Sequence, residues 1–456
     1  MTADGTALEL AERALAAAPP GDALAHVTAE RSLALRFARS RPTQSTALDD
    51  VTVLVAVARG GRVGTATTNL THPDSLAACG RAAAAAADAA LHTGGEGQFP
   101  GFPAVGPARP HDGFDEATAA LDPAAGGAAL ADAFAACAER GCEAHGTWSA
   151  GDVSTAVASR AGADASDRGT DVFMKVTAFA PGGRSGFAAA TAASLADVAP
   201  RALGERAASK AVFGKGGGDV VRLPPGEYRV VLEADAVGEL LAWLGALAHN
   251  GLAFAEGRSA LCGRLGERVA AARINLADSP RFSRTLQRSI DAEGVPKVPL
   301  PLIQDGVAHR VVHDTRSAAL CGARSTGHAL VPGGSASGPE PTNLVLMGGG
   351  AADEAELARP VERGIYVTRL WYTNPVREKE TLLTGVTRDG TFLIEDGVVT
   401  RPIDDMRLTD SILGVLERCE DLGAATRLTS EGEFYGRRFA SGVVAAPMRS
   451  VVRFTG

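Results

Sequence analysis

Zinc-dependent hydrolysis is the chemistry most readable from spacing, because two imidazoles must reach one ion from a single helix while a carboxylate stands beside the bound water. The sequence holds nine histidines and no His-Glu dipeptide, so the commonest signature of that chemistry is missing. His309 and His313 stand four apart in VAHRVVHD and would face one side of a strand. No third His or Cys lies at a matching distance, so an exposed pair on a half-buried strand is preferred to a metal grip. His249 follows a long apolar helix and precedes Asn250 and Gly251, where a ring N–H or a cation can satisfy last-turn carbonyls. Capping is preferred there to metal binding.

Nucleophilic and phosphate chemistry find less support. No GxSxG, SxxK or Cys–His pattern falls in a strand–turn–helix setting. The serines of SASG, residues 335–338, sit in the loop-forming stretch VPGGSASGPEPTN and read as turn residues. LVLMGGGAADEAELA runs an apolar strand into three glycines and a helix, yet its spacing fails both phosphate-loop patterns. Asp353 and Glu354 would also stand where a phosphate must sit, so a turn and an ordinary helix start are expected.

The elements that must position such residues alternate in the first half. ALELAERALAAA has helical periodicity, and SLALRFAR, VTVLVAVARG and GRVGTATTN read as strands. The alanine-rich residues 74–91 form the strongest helix signal, because alanine has the best helix propensity. Residues 93–112 collect Gly and Pro too densely for regular structure. A helix over 125–139, the strands DVSTAVASR and DVFMKVTAF, and a helix over 195–212 follow.

The glycine run GKGGGD, residues 214–219, marks the expected boundary, dividing the chain into 1–218 and 219–456. Beyond it, one amphipathic helix within 232–251 shows Ala236, Val237, Leu240, Leu241, Leu244 and Leu247 on a single stripe. Strands are expected over 228–233, 301–312, 343–347, 365–372, 381–387, 391–394 and 450–454. Asp389-Gly390 and Asp396-Gly397 both supply the positive φ of a tight hairpin turn. The fold class is therefore α+β: an N-terminal α/β domain with a sheet and packed helices, then a mainly antiparallel, barrel-like β domain.

A length of 456 residues suits two or three domains, and 45% hydrophobic with 21% charged residues suits a folded globular chain. A net charge of -8 without a basic stripe argues against nucleic acid and anionic membrane as partners. The N-terminus lacks a charged-then-apolar leader, and a cytoplasmic location is expected. Cys79, Cys137, Cys142, Cys262, Cys321 and Cys419 form no CxxC pair and read as reduced, structural thiols.

Across nearly the whole chain the order of segments resembles the TldD/PmbA family, specifically its TldE (PmbA) branch. The segments are GRVGTATTNLTHPDSLAACGRAAAAAADAA, SGFAAATAASLADVAPRALGERAASKAV, GRLGERVA, DAEGVPKVPLPLIQDGVAHRVVHDTRSAALCGARSTGHA, PTNLVLMGGG, GIYVTRLWYTN, GTFLIEDGVV and PMRSVVRFTG. The succession DxEG, LIxxG, SA and STG within 291–327 is the most specific of them. The resemblance implies a two-subunit metallopeptidase whose TldD subunit carries zinc on an HExxxH helix and a late cysteine, while TldE lacks them and completes the substrate chamber.

By that alignment Ala242 and Leu247 replace the zinc histidines and Trp243 the catalytic glutamate, with only Glu431, Glu433 and aromatics near the late-ligand region. Hydrocarbon offers zinc no lone pair. No cofactor is thus expected in this chain, zinc being expected in a TldD-like partner subunit. The resemblance also implies a peptide or peptide-like substrate held as an added strand. It sets Arg324, Ser325, Thr326, Gly327 and His328 at a peptide-binding block in which His328 departs from an expected asparagine. Two other readings stand beside this one: a peptide-binding or scaffold protein without hydrolysis, and a standalone hydrolase using His309, His313 and an acid.

Overall fold

A computed structural model describes residues 3–92, 97–214, 220–430, 438–439 and 441–456. The first unit contains α1 (Ala3–Ala17), β1 (Asp22–Ala38), β2 (Arg41–Arg59), β3 (Arg62–Thr68), α2 (Pro73–Leu91), α3 (Glu116–Ala119), α4 (Pro123–Glu139), β4 (Glu143–Ser159), β5 (Asp164–Phe179), β6 (Ser185–Ala192) and α5 (Pro200–Val212). Its strands form one sheet in the order β3-β2-β1-β4-β5-β6, with every neighbouring pair antiparallel.

Strand alternation gives this sheet two different faces. One is apolar: Trp148, Val172, Met174 and Val176 pack beneath Leu130, Ala133, Leu203 and Ala207 of α4 and α5. On the same face Val27, Val53, Val55 and Val57 meet Leu10, Ala14, Leu76 and Ala83 of α1 and α2. The alanine-rich α2 can lie directly on β3, where a Cβ at Gly64 would collide with the backbone of Ala83 and Ala87. The other face carries His26, Thr28, Glu30, Arg36, Thr147, Ser149, Asp171 and Lys175 in alternate positions, and at Arg438 and Asp389 it meets the second half of the chain.

The second unit contains β7 (Gly226–Leu232), α6 (Ala234–Leu247), α7 (Gly251–Ala255), β8 (Leu276–Asp278), β9 (Leu300–Gln304), β10 (Val307–Ala308), α8 (Thr315–Leu320), β11 (Asn343–Leu346), α9 (Glu354–Ala358), β12 (Arg363–Arg377), β13 (Leu382–Glu395), β14 (Val398–Pro402), β15 (Arg407–Ser411), α10 (Ile412–Glu417), β16 (Asp421–Leu422), β17 (Arg427–Thr429), β18 (Gly442–Ala445) and β19 (Met448–Phe454). One sheet runs β10-β9-β8-β11-β18-β17, the other β12-β7-β19-β15-β13-β14. Because β12 also pairs with β13, the ladders of the second sheet return to their start, through a single Leu408–Phe454 pair between β15 and β19. The apolar stripe of α6 is buried in one core with residues of both sheets, among them Leu276, Leu344, Leu383 and Met448.

The mixed α+β class read from the sequence is the one observed. Two local elements differ from expectation: β6, and the strand that holds Asp389-Gly390. The strand β6 had no expectation, since its alanine-rich sequence carries little β signal. The second unit is mainly antiparallel, as expected, with two parallel pairings, β7 with β12 and β11 with β18. Residues 381–387 and 391–394 belong to one strand, and Asp389-Gly390 is a bulge within it opposite Thr368, although both residues have positive φ. Asp396-Gly397, by contrast, is the two-residue turn between β13 and β14. Of the expected glycine boundary only Gly214 lies within the described residues. No helix of the described residues is long and apolar enough to cross a membrane.

Candidate functional site

The helix α6 presents Ala242 at the surface and buries Leu247 in the core. Trp243, between them, donates its indole N–H to Thr373 Oγ1 at 2.8 Å and lies 3.2 Å from Glu239 Oε1. Thr373 in turn donates to the same Glu239 oxygen. A tetrahedral zinc site asks for three or four thiolate, imidazole or carboxylate ligands. Here Glu239 is the one such side chain in this hydrogen-bonded trio, and it is occupied by neutral donors. Among the described residues no group of three or more His, Cys, Asp or Glu side chains could hold a metal ion. The described residues around α6 do not fit zinc. Glu431 and Glu433 lie outside the described residues.

The other histidines are separated by the fold. His309 is exposed just after β10, whereas His313 is buried with Nδ1 3.3 Å from Ser317 Oγ, so the two do not converge. His249 differs from its expected role: its ring does not cap α6 but bonds Arg310 O through Nδ1 at 3.0 Å. Burial pushes this imidazole down to about 4, so the ring is neutral at pH 7. Gly348 to Gly350 do lead into an ordinary helix start, with Asp353 accepting from Glu356 N at 2.8 Å. All six cysteines are free, and burial pushes the Cys137 and Cys419 thiols up to about 12, which leaves them inert.

The STG segment divides by burial. Arg324 is exposed and Ser325 half-buried, with Ser325 Oγ reaching His313 O at 3.3 Å. Thr326 Oγ1 accepts from His313 N at 2.7 Å and touches His328 Nδ1 at 2.9 Å. Gly327 adopts φ +75, a left-handed turn that directs its carbonyl at Lys297 Nζ, 3.2 Å away. His328 is fully buried, with Nε2 3.0 Å from Asp278 Oδ2, an oxygen that Lys297 Nζ also approaches to 3.2 Å. Burial alone would raise the Asp278 carboxyl, but Lys297 and His328 outweigh it and hold it below the carboxylate range. Burial lowers both Lys297 and His328.

This buried network was not legible in the sequence, because Asp278, Lys297 and His328 come from three separate segments. Lys297 and His328 line a cavity of about 220 Å³ between the polar face of the first sheet and the loops of the second unit. His26, Thr28 and Asp167 contribute from one side and Arg288, Lys297 and His328 from the other. Asp167 is bound to His111 Nε2 at 2.8 Å and to Ser289 N at 3.1 Å, contacts that overcome burial and keep it low.

The DxEG motif organises the loops around that cavity. Asp291 accepts backbone N–H bonds from Glu293, Val295 and Ala329, each at 2.9 Å. Glu293 accepts from Thr315 N and Gly333 N, both at 3.1 Å. The two carboxyls thereby tie together the STG segment, the start of α8 and the 333 loop. Burial pushes Asp291 up, and burial together with the Asp291 charge pushes Glu293 up further. Across the unit interface, Arg438 Nε and Nη2 donate to Asp171 at 2.7 and 2.6 Å, and Arg438 N donates to Glu30 at 2.9 Å.

Residues 115–212 match the PmbA/TldA metallopeptidase central domain, and residues 225–451 match the PmbA/TldA metallopeptidase C-terminal domain. A Methanothermobacter thermautotrophicus protein named a metalloprotease is 26% identical over 210 residues, 45% of this chain and 44% of that protein. A Haemophilus influenzae metalloprotease TldD homolog is 27% identical over 214 residues, 43% of this chain and 41% of that one. The matches thus span less than half the length of these curated relatives. The solved structure of TldE from Thermococcus kodakarensis shares the fold with a TM-score of 0.85 at 17% identity, over 98% of this chain and 99% of that one.

Proposed function

The chain belongs to the PmbA/TldD metallopeptidase family, and from that premise we propose that it is the zinc-less, TldE/PmbA-like subunit of a two-subunit metallopeptidase of the bacterial cytoplasm. A TldD-like partner carries the zinc, and this chain completes the chamber in which peptides or peptide-like substrates are hydrolysed. The observation that carries the reading is the chemistry of α6. Where the family resemblance implies imidazole, carboxylate and imidazole, the helix offers Ala242, Trp243 and Leu247, and Trp243 is committed to the Glu239–Thr373 contact.

The peptide contact falls on the STG segment. Arg324 and Ser325 are its accessible members, and Thr326, Gly327 and His328 hold it in place through the buried Asp278–Lys297 pair. We place the domain boundary between residues 218 and 219; the three largest core clusters each draw on one side of it, residues 7–211 or 230–454, while a smaller one joins Ile290 to the first half.

Mixing tests this reading. Purified alone, the chain shows no peptide cleavage. Combined with a TldD-type zinc subunit, it forms a larger species by light scattering and produces chelator-sensitive hydrolysis. A mixture that binds peptide without any gain in hydrolysis would favour a scaffold role instead.

A further inference from the structure

The polar face of the first sheet carries a second concavity, away from the cavity beside Lys297. Arg36 on β1, Thr147 on β4 and Lys175 on β5 are direct cross-strand neighbours, so their side chains leave the same face of the sheet. His145 and Thr177 form the next row on that face. Above them stands the β12–β13 hairpin with Arg369, Arg388 and Asp389. Together they line an open groove of about 360 Å³.

Charge in this groove is one-sided. Its lining has four basic side chains, Arg36, Lys175, Arg369 and Arg388, against the single carboxylate of Asp389. That carboxylate is already engaged: Arg369 Nε donates to one oxygen at 2.9 Å and Ser185 Oγ to the other at 2.6 Å. Arg388 reaches only 4.0 Å from Asp389 and lies over the Trp371 ring, 4.0 Å from its centroid. Burial lowers the His145 imidazole, so at neutral pH it adds a donor and no charge. The Thr147 and Thr177 hydroxyls complete a wall of donors. In a chain of net charge -8, such an excess of cations in one concavity is a local arrangement and not the average composition.

We propose that this groove is a carboxylate-binding site that selects peptides bearing an acidic group, either a C-terminal carboxylate or an Asp or Glu side chain. Guanidinium forks pair with planar carboxylates through two parallel N–H bonds, and Arg388 is pre-oriented by its stack on Trp371. A polyanion such as nucleic acid is disfavoured, since the rest of the chain is acidic and would repel a strand extending past the groove. The proposal rests on the reading that the chain holds peptides, but not on hydrolysis or on a partner.

Fluorescence anisotropy of labelled peptides on the purified full-length chain tests it directly. An acidic peptide with a free C-terminus binds, and Arg36→Glu together with Arg388→Glu weakens it by at least about tenfold, with a steep salt dependence in the unmodified chain. Loss of binding on C-terminal amidation assigns the α-carboxylate; loss on replacing Asp and Glu by Asn and Gln assigns the side chain. Both variants change half-buried or exposed residues, and unaltered thermal unfolding checks their folding. Equal binding of acidic and basic peptides, affinity unchanged in the double variant, or preferential binding of a single-stranded oligonucleotide would overturn it. Failure of the mixing assay with this binding intact would instead count against the two-subunit reading alone.

Discussion

Asp278, Lys297 and His328 show how much a single residue carries when charge is buried. Lys297 and Asp278 are each less than 5% exposed, so their mutual attraction is weakly screened, and either alone would be an uncompensated ion in a low-dielectric interior. Lys297→Met is therefore expected to destabilise the protein by ~3–5 kcal/mol, read as a lower denaturant midpoint at unchanged slope. The double variant Lys297→Met with Asp278→Leu should recover only part of that loss, since it removes the orphan charge but strips His328 Nε2 and Asn343 N of their acceptor. At this scale the sequence was partly legible. Apolar residues at positions 242 and 247 could be read directly, because a missing lone pair needs no structure to be recognised. The Asp278 triad could not, because nothing in the local pattern of LAD, VPKV or TGHA points from one to another.

At the scale of elements, Glu233 joins the two halves. It stands just before α6, fully buried, and meets Lys210 of α5 at 2.6 Å, Arg206 at 3.3 Å, Arg427 at 3.5 Å and the Tyr366 hydroxyl at 2.8 Å. Burial would raise this carboxyl, but the three cations outweigh it and hold the folded value below the ordinary 4.5. A folded-state value below the unfolded one gives stability that is present at higher pH and is lost as pH falls through the folded value. Glu233→Gln should accordingly lower stability at pH 7 and flatten the acid limb of a stability–pH profile below about pH 4.5, measured by thermal unfolding across pH. Elements themselves were largely legible where side-chain period decides them, as in the Val53–Val57 alternation or the α6 stripe. They were not where a dipeptide has two uses: Asp389-Gly390 and Asp396-Gly397 share the same backbone preference, and only the continuation of the β12 ladder on both sides of Thr368 makes the first a bulge.

Over the whole molecule, the two units meet through polar contacts and through an apolar cluster that sets Ile290 against Leu24, Ala56 and Val157, and the recognisable chemistry lies where they meet. The Arg438–Asp171 pair, the Asp389–Ser185 bond and the cavity beside His328 all cross between the halves. No local pattern foretells such a site, because each half contributes residues that in isolation read as ordinary surface polarity of a strand. Family order across the chain was legible, as the matches over 115–212 and 225–451 agree with it. The helix α6 offers no ligand set for a metal. Titrating zinc into the isolated, metal-stripped chain and counting the ions retained after dialysis measures this, and no stoichiometric, tightly held zinc is expected. One equivalent retained per chain, lost together with peptide turnover when this chain's own ligands are mutated, would rule it out.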